Sequence, residues 1–146
     1  MTSTASRWTG DTLSIGAPIV RENATSVRPC ALIVEDEFLV ALDLEDAMSS
    51  LGFYVCGVAG TQDRARSLAI SEHPDVVLMD VCLEGGREGI EAARWLREVC
   101  RAEVVFVTGH TDEATLERIH ERVPGAPILP KPVSRRRLAE AVIAAL

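Results

Sequence analysis

The chain has 146 residues, 47% hydrophobic, 25% charged and only 4% aromatic, with a formal net charge of -7. That length holds one domain with a sizeable aliphatic core and no second one, and the composition excludes a chain that is disordered throughout. The acidic balance repels nucleic acid and anionic membrane alike, so no nucleic-acid reader is expected.

Residues 1–29 are rich in Ser and Thr, carry Gly10, Gly16, Pro18 and Pro29, and show neither helical nor strand periodicity. They read as a flexible N-terminal extension, and residues 30–146 as the folded unit. Residues 1–10 lack the basic start and apolar stretch of a secretory signal. No segment approaches the ~18 consecutive apolar residues of a membrane span, so a cytoplasmic protein with no membrane partner is expected.

From Cys30 onward, short apolar runs alternate with longer amphipathic segments five times. Strands are predicted over 31–34, 54–59, 76–79, 104–107 and 126–129, each short and apolar enough to be buried on both faces of a parallel sheet. Helices are predicted over 37–51, 62–73, 89–100, 112–123 and 134–146. Leu51-Gly52 supplies a stop, and Thr61, Thr111 and Ser134 supply N-caps. Leu44, Met48 and Leu51, and again Ile90, Ala93, Leu96 and Val99, give their helices one face for the sheet. Right-handed crossovers then yield an α/β, doubly wound (βα)5 sandwich of flavodoxin-like type, with a five-stranded parallel sheet in the order 2-1-3-4-5. Ligands bind beyond the carboxyl ends of the strands in such sheets.

At those ends stand Glu35-Asp36, Asp80, Thr108 and Lys131-Pro132. Three carboxylates brought within a few ångströms repel one another by roughly 1 to 4 kcal/mol per close pair. A proton or Lys131 relieves part of this, but a hard divalent cation neutralises more, and Mg2+ suits a site of few carboxylates that leaves room for water and a phosphoryl oxygen. Asp80 then offers an oxygen that attacks phosphorus in line, with Lys131 stabilising the equatorial oxygens, and the product is an acyl phosphate. The Thr108 hydroxyl is placed to bond one phosphoryl oxygen afterwards, so its position reports the phosphorylation state.

Four ordered stretches carry a resemblance: residues 31–37 (Ala-Leu-Ile-Val-Glu-Asp-Glu), 76–80 (Val-Val-Leu-Met-Asp), 104–109 (Val-Val-Phe-Val-Thr-Gly) and 129–132 (Leu-Pro-Lys-Pro). In order, spacing and strand context, residues 30–146 resemble the receiver domains of two-component response regulators, the CheY-like superfamily. The resemblance implies that Asp80 is the phosphoacceptor, that Asp36 ligates Mg2+ directly and Glu35 through water, and that Cys82 lends its backbone carbonyl. It further implies a switch role for Thr108, a phosphoryl-binding role for Lys131, and a cis peptide before Pro132. His110, two residues after Thr108, would border the water that attacks the acyl phosphate. The sequence departs from the commonest pattern at Ile128, often aromatic in the family, and in the proline-free loop that follows Asp80.

The expected partners are a histidine kinase or histidine phosphotransfer protein, and downstream a protein partner or second copy meeting the fourth helix, fifth strand and fifth helix. No output domain is expected after Leu146, so the effect is expected to pass to another protein, to a second receiver, or back to a kinase as a phosphate sink. Beyond its own phosphoryl transfer and dephosphorylation, no enzymatic turnover is expected. A phosphatase using an aspartyl nucleophile would need a second aspartate two residues on, where Cys82 and Phe38 stand instead. A flavin mononucleotide carrier would need its first loop to accept a phosphate that Glu35-Asp36-Glu37 would repel. A receiver-like binding module that is never phosphorylated is the remaining alternative, disfavoured by the complete acid, threonine and lysine set.

Other features read as structural. Cys30, Cys56, Cys82 and Cys100 form no CxxC pair, and His73, His110 and His120 have no metal-ligand spacing, so free thiols are expected. Trp95 reads as core packing or a lid over its own helix. The run 135–137, three arginines at a helix start, reads chiefly as a solvated face, with a partner surface as the second choice. Gly85-Gly86 and Gly89 lack the spacing and lysine of a phosphate-cradling loop and read as loop flexibility.

Overall fold

A computed structural model describes residues 27–84, 86 and 88–146. Apart from residues 27–29, the expected N-terminal extension lies outside the described residues. The elements alternate in chain order as β1 (Cys30–Val34), α1 (Phe38–Ser50), β2 (Tyr54–Ala59), α2 (Gln62–Glu72), β3 (Val76–Met79), α3 (Glu88–Cys100), β4 (Glu103–Thr108), α4 (Glu113–Arg122), β5 (Ile128–Pro130) and α5 (Arg135–Ala145). All five strands are parallel, in the order β2-β1-β3-β4-β5.

Strand alternation sorts the core into two layers. Leu32 and Val34 of β1 point to one face with Leu68 of α2, Leu96 of α3 and Ile119 of α4. Ala31 and Ile33 point to the other, with Met48 of α1 and Leu138 and Val142 of α5. The buried strands β1 and β3 are apolar on both faces because helices cover both, as the continuous runs in the sequence require.

Helix ends follow the local chemistry. Thr61 and Ser134 cap α2 and α5 by accepting the N–H of Arg64 and Arg137, each at 3.1 Å. Gly52 takes a left-handed φ of +96° after α1, and Phe53 N–H turns back to the carbonyl of Met48. Three sequence expectations are corrected. The cap of α4 is Asp112 rather than Thr111: its carboxylate accepts the N–H of Thr115 at 3.1 Å through one oxygen and the Thr115 hydroxyl at 2.8 Å through the other. β5 begins at Ile128, since the Ala126 N–H is still bonded back to Val123 in the turn that leaves α4. Val99 is exposed rather than on the sheet-facing stripe of α3.

The four cysteines are free thiols. Burial pushes the Cys30 and Cys100 thiols up and Cys56 up to about 12, so they stay protonated at neutral pH. Among the described residues, no helix is long and apolar enough to cross a membrane.

Candidate functional site

Each polar residue of the rim is set by the strand it follows. Glu35 extends β1 by one more ladder bond, its N–H donating to Ala59 O at 2.8 Å, and Asp80 does the same beyond β3, its N–H donating to Val34 O at 3.0 Å. Lys131 follows β5 and donates its N–H to Thr108 O at 2.9 Å. Rigid backbone thus delivers residues from four strands to one edge. The Lys131–Pro132 peptide is cis.

One carboxylate oxygen from each of Glu35, Asp36 and Asp80 lies within 4.8 Å of the others. Glu35 and Asp80 are buried, only 3% and 6% exposed, whereas Asp36 faces solvent. The Lys131 ammonium sits 2.8 Å from Glu35 Oε1, 3.2 Å from Asp80 Oδ2 and 3.8 Å from Glu37 Oε1. Loop backbone completes the shell: Cys82 N–H approaches Asp80 Oδ1 at 3.4 Å, Glu84 N–H donates to Asp36 Oδ2 at 3.1 Å, and Glu37 N–H donates to Glu35 Oε2 at 3.1 Å.

Burial pushes the Glu35 carboxyl above its ordinary value, and nearby Asp80 adds to this, while the Lys131 and Glu37 bonds oppose it only in part. Burial pulls the Lys131 ammonium down, but its bonds and attraction to Glu35 and Asp80 outweigh that and leave it raised. Three acids against one ammonium leave an excess of negative charge on hard oxygen donors. That is a donor set suited to a divalent cation such as Mg2+, which prefers carboxylate oxygen and retains water.

Thr108 is fully buried at the end of β4, and its hydroxyl accepts the His110 N–H at 3.0 Å. The His110 side chain is exposed, so this residue reaches the site through its backbone. Ile128 is half-buried against the core layer beneath α3 and α4. Trp95 is likewise half-buried against that layer, with the Arg66 guanidinium 5.1 Å over its ring. Of the arginine run, Arg135 is not merely solvated: it bridges to Asp43 and Asp46 of α1 at 3.3 and 2.8 Å, while Arg136 pairs with Glu140.

Three features escaped the sequence reading. Glu37 is a further carboxylate near Lys131, visible in the acidic run but unassigned. The Glu84 N–H depends on a turn conformation that residue types do not announce. Gly89 is no flexible loop residue: it is buried in the first turn of α3, donates its N–H to Val81 O at 3.0 Å, and leaves no room for a Cβ against the Asp80 and Val81 backbone.

Comparison with known proteins agrees with this architecture. Residues 31–143 match the family model described as response regulator receiver domain. The chain is 37% identical over 93 residues to the phyllosphere-induced regulator PhyR of Methylorubrum extorquens, covering 63% of this chain and 35% of PhyR. It is 34% identical over 90 residues to the transcriptional regulatory protein PdtaR of Mycobacterium tuberculosis, covering 62% of this chain and 43% of PdtaR. The chain therefore spans less than half the length of these curated relatives. Among solved structures, the signal receiver domain of a modulated diguanylate cyclase from Desulfovibrio desulfuricans superposes with a TM-score of 0.74 at 34% identity, over 82% of this chain and 94% of that one. The receiver domain of Erythrobacter litoralis PhyR gives 0.72 at 30%, over 81% and 89%. With the sheet order, the rim of acids and lysine, and a family match over most of its length, the chain belongs to the response regulator receiver domains.

Proposed function

We propose that this receiver accepts a phosphoryl group on Asp80 from a phosphohistidine of a histidine kinase or phosphotransfer protein. The observation that carries the reading is the Lys131 ammonium, 3.2 Å from Asp80 Oδ2 in a rim otherwise made of carboxylates. An Asp80 oxygen attacks phosphorus, the P–N bond breaks, the imidazole leaves with a proton, and an acyl phosphate forms. Lys131, already held by Glu35, turns its charge to the transferred oxygens. Mg2+ would be held by Asp36 and Asp80 directly, with Glu35 through water and the Cys82 carbonyl as further ligands, and would neutralise the charge that builds on the phosphoryl oxygens. The domain performs this one transfer and the hydrolysis of the acyl phosphate, in which water attacks phosphorus and inorganic phosphate leaves Asp80, without turnover of other substrates.

The donor approaches across α1. Phe38, Leu39 and Leu42 are exposed there, and a groove of about 440 Å3 lined by Leu39, Leu44, Val107, Pro132 and Val133 opens beside Lys131. The Thr108 hydroxyl, which accepts the His110 N–H, moves to donate its own proton to a phosphoryl oxygen, which shifts the β4–α4 connection. Ile128 has no polar tip, so it answers by packing alone, and the shift is small. The output is a protein contact or a second copy on the face of α4, β5 and α5. The PhyR of Bartonella quintana is described as an anti-anti-sigma factor, which favours a protein target over nucleic acid. Beryllofluoride with Mg2+ tests this part: hydrogen exchange is expected to change on α4 and β5, and changes confined to α1 would contradict the output assignment.

A further inference from the structure

We propose that the backbone N–H of Glu84 positions Asp36 for a divalent cation, so that the turn closed by Leu83 and Gly86 supports the metal site through its main chain. The inference rests on the metal-assisted reading above. Glu35 and Asp80 are buried and fixed by Lys131, whereas Asp36 faces solvent, and an exposed aspartate turns freely unless something holds it. Among the described residues, its hydrogen-bond partner is the Glu84 N–H, 3.1 Å from Oδ2 across the mouth of the site.

The donor is itself held in place. Leu83 N–H donates to Gly86 O at 3.1 Å and Gly86 N–H returns to Leu83 O at 3.0 Å, closing a tight turn. The Leu83 side chain is 1% exposed and packs in the core layer under α3, so the turn is anchored rather than hanging in solvent. Glu84 adopts φ of +52°, a left-handed conformation that a glutamate rarely takes and that the closed turn maintains. Two residues earlier, the Cys82 N–H meets Asp80 Oδ1. One loop therefore supplies an N–H to each of the two aspartates, and ties one Asp36 oxygen while leaving the other for a cation. Single-oxygen carboxylate ligation suits Mg2+, which keeps several waters. An outer partner of this kind typically alters metal affinity by 10–100-fold when removed.

The test is a Mg2+ titration of 15N-labelled protein followed by amide resonances, with two variants. Glu84→Gly retains the N–H and accepts the left-handed φ, so its affinity should match the parent. Glu84→Pro removes the N–H, cannot adopt that φ, and should bind Mg2+ about tenfold more weakly with resonances remote from the loop unmoved. In the unaltered protein the Glu84 and Cys82 amides should shift together on saturation, a readout that stands even if Glu84→Pro fails to fold. A Glu84 amide that stays still while Cys82 shifts, or parental affinity in Glu84→Pro, would overturn the positioning role alone. If no amide around Asp80 responds to Mg2+, the metal reading itself fails and this inference falls with it.

Discussion

Gly89 of α3 packs so closely on Asp80 that a Cβ would collide with the Asp80 carbonyl oxygen, and it would also stand 2.7 Å from Val81 O and 2.8 Å from Val81 Cα. The obstacles are backbone atoms, which cannot swing aside as a side chain would. Gly89→Ala must push α3 away from the loop that carries the site. We expect a loss of roughly 1 to 3 kcal/mol in urea denaturation, with slower phosphoryl uptake on Asp80. An unchanged midpoint would show that α3 relaxes at little cost.

Lys131 answers two buried carboxylates at once, so Lys131→Ala leaves Glu35 and Asp80 facing each other without a cation. Stability without metal should fall by roughly 1 to 3 kcal/mol, and added Mg2+ should recover more of it than it adds to the parent, since cation and ammonium relieve the same repulsion. Thermal melts of both proteins with and without Mg2+ give the comparison. Equal gains from Mg2+ would separate the lysine from the metal site.

The raised Glu35 carboxyl sets a pH dependence. Its proton is held more tightly in the folded state than in the unfolded one, so the cost of keeping it ionised is present above its native pKa and is relieved as pH falls through that value. A cation competes with that same proton. Mg2+ affinity should therefore decline on acidification before an ordinary glutamate, near 4.5, would titrate, and Glu35→Gln should flatten the decline. Lys131 has the opposite sign: its raised pKa contributes stability that is complete below 10.5 and lost as pH rises through the higher native value. Metal titrations from neutral to mildly acidic pH check the first statement, and alkaline denaturation checks the second.

α4, the helix that the Thr108 switch would move, is tied to α3 through Glu91. Its carboxylate meets Arg122 Nε at 2.9 Å and Nη2 at 3.0 Å, and Arg118 Nη2 at 3.4 Å. These bonds, Arg122 foremost, hold the Glu91 carboxyl below its ordinary value. Glu91→Gln keeps the shape and removes the charge, so α4 amides should exchange faster while the sheet is unaffected. Unchanged α4 exchange would mean that packing by Ile119 alone fixes the helix.

Much of this architecture is legible in the residues. Continuous apolar runs such as Val76–Met79 mark strands buried on both faces, and the residues just past them are placed by ladder geometry alone, so Glu35, Asp80 and Lys131 could be assigned to one rim. Elements bounded by turn chemistry were less so. Asp112 competes with Thr111 for the same cap, and only the two bonds to Thr115 decide between them. Ala126 is apolar like a strand residue but is spent on the turn after α4. Gly89 and Glu84 act through backbone proximity and a left-handed φ, and neither is encoded in side-chain type.

The acceptor role of Asp80 is tested most directly by intact-mass measurement after incubation with acetyl phosphate and Mg2+. The parent should gain the mass of one phosphoryl group, labile at alkaline pH as an acyl phosphate is. Asp80→Asn should gain none, and Asp36→Ala should need far more Mg2+ to be labelled. Full labelling of Asp80→Asn, or no labelling of the parent at saturating Mg2+ and donor, would contradict phosphoryl acceptance at Asp80.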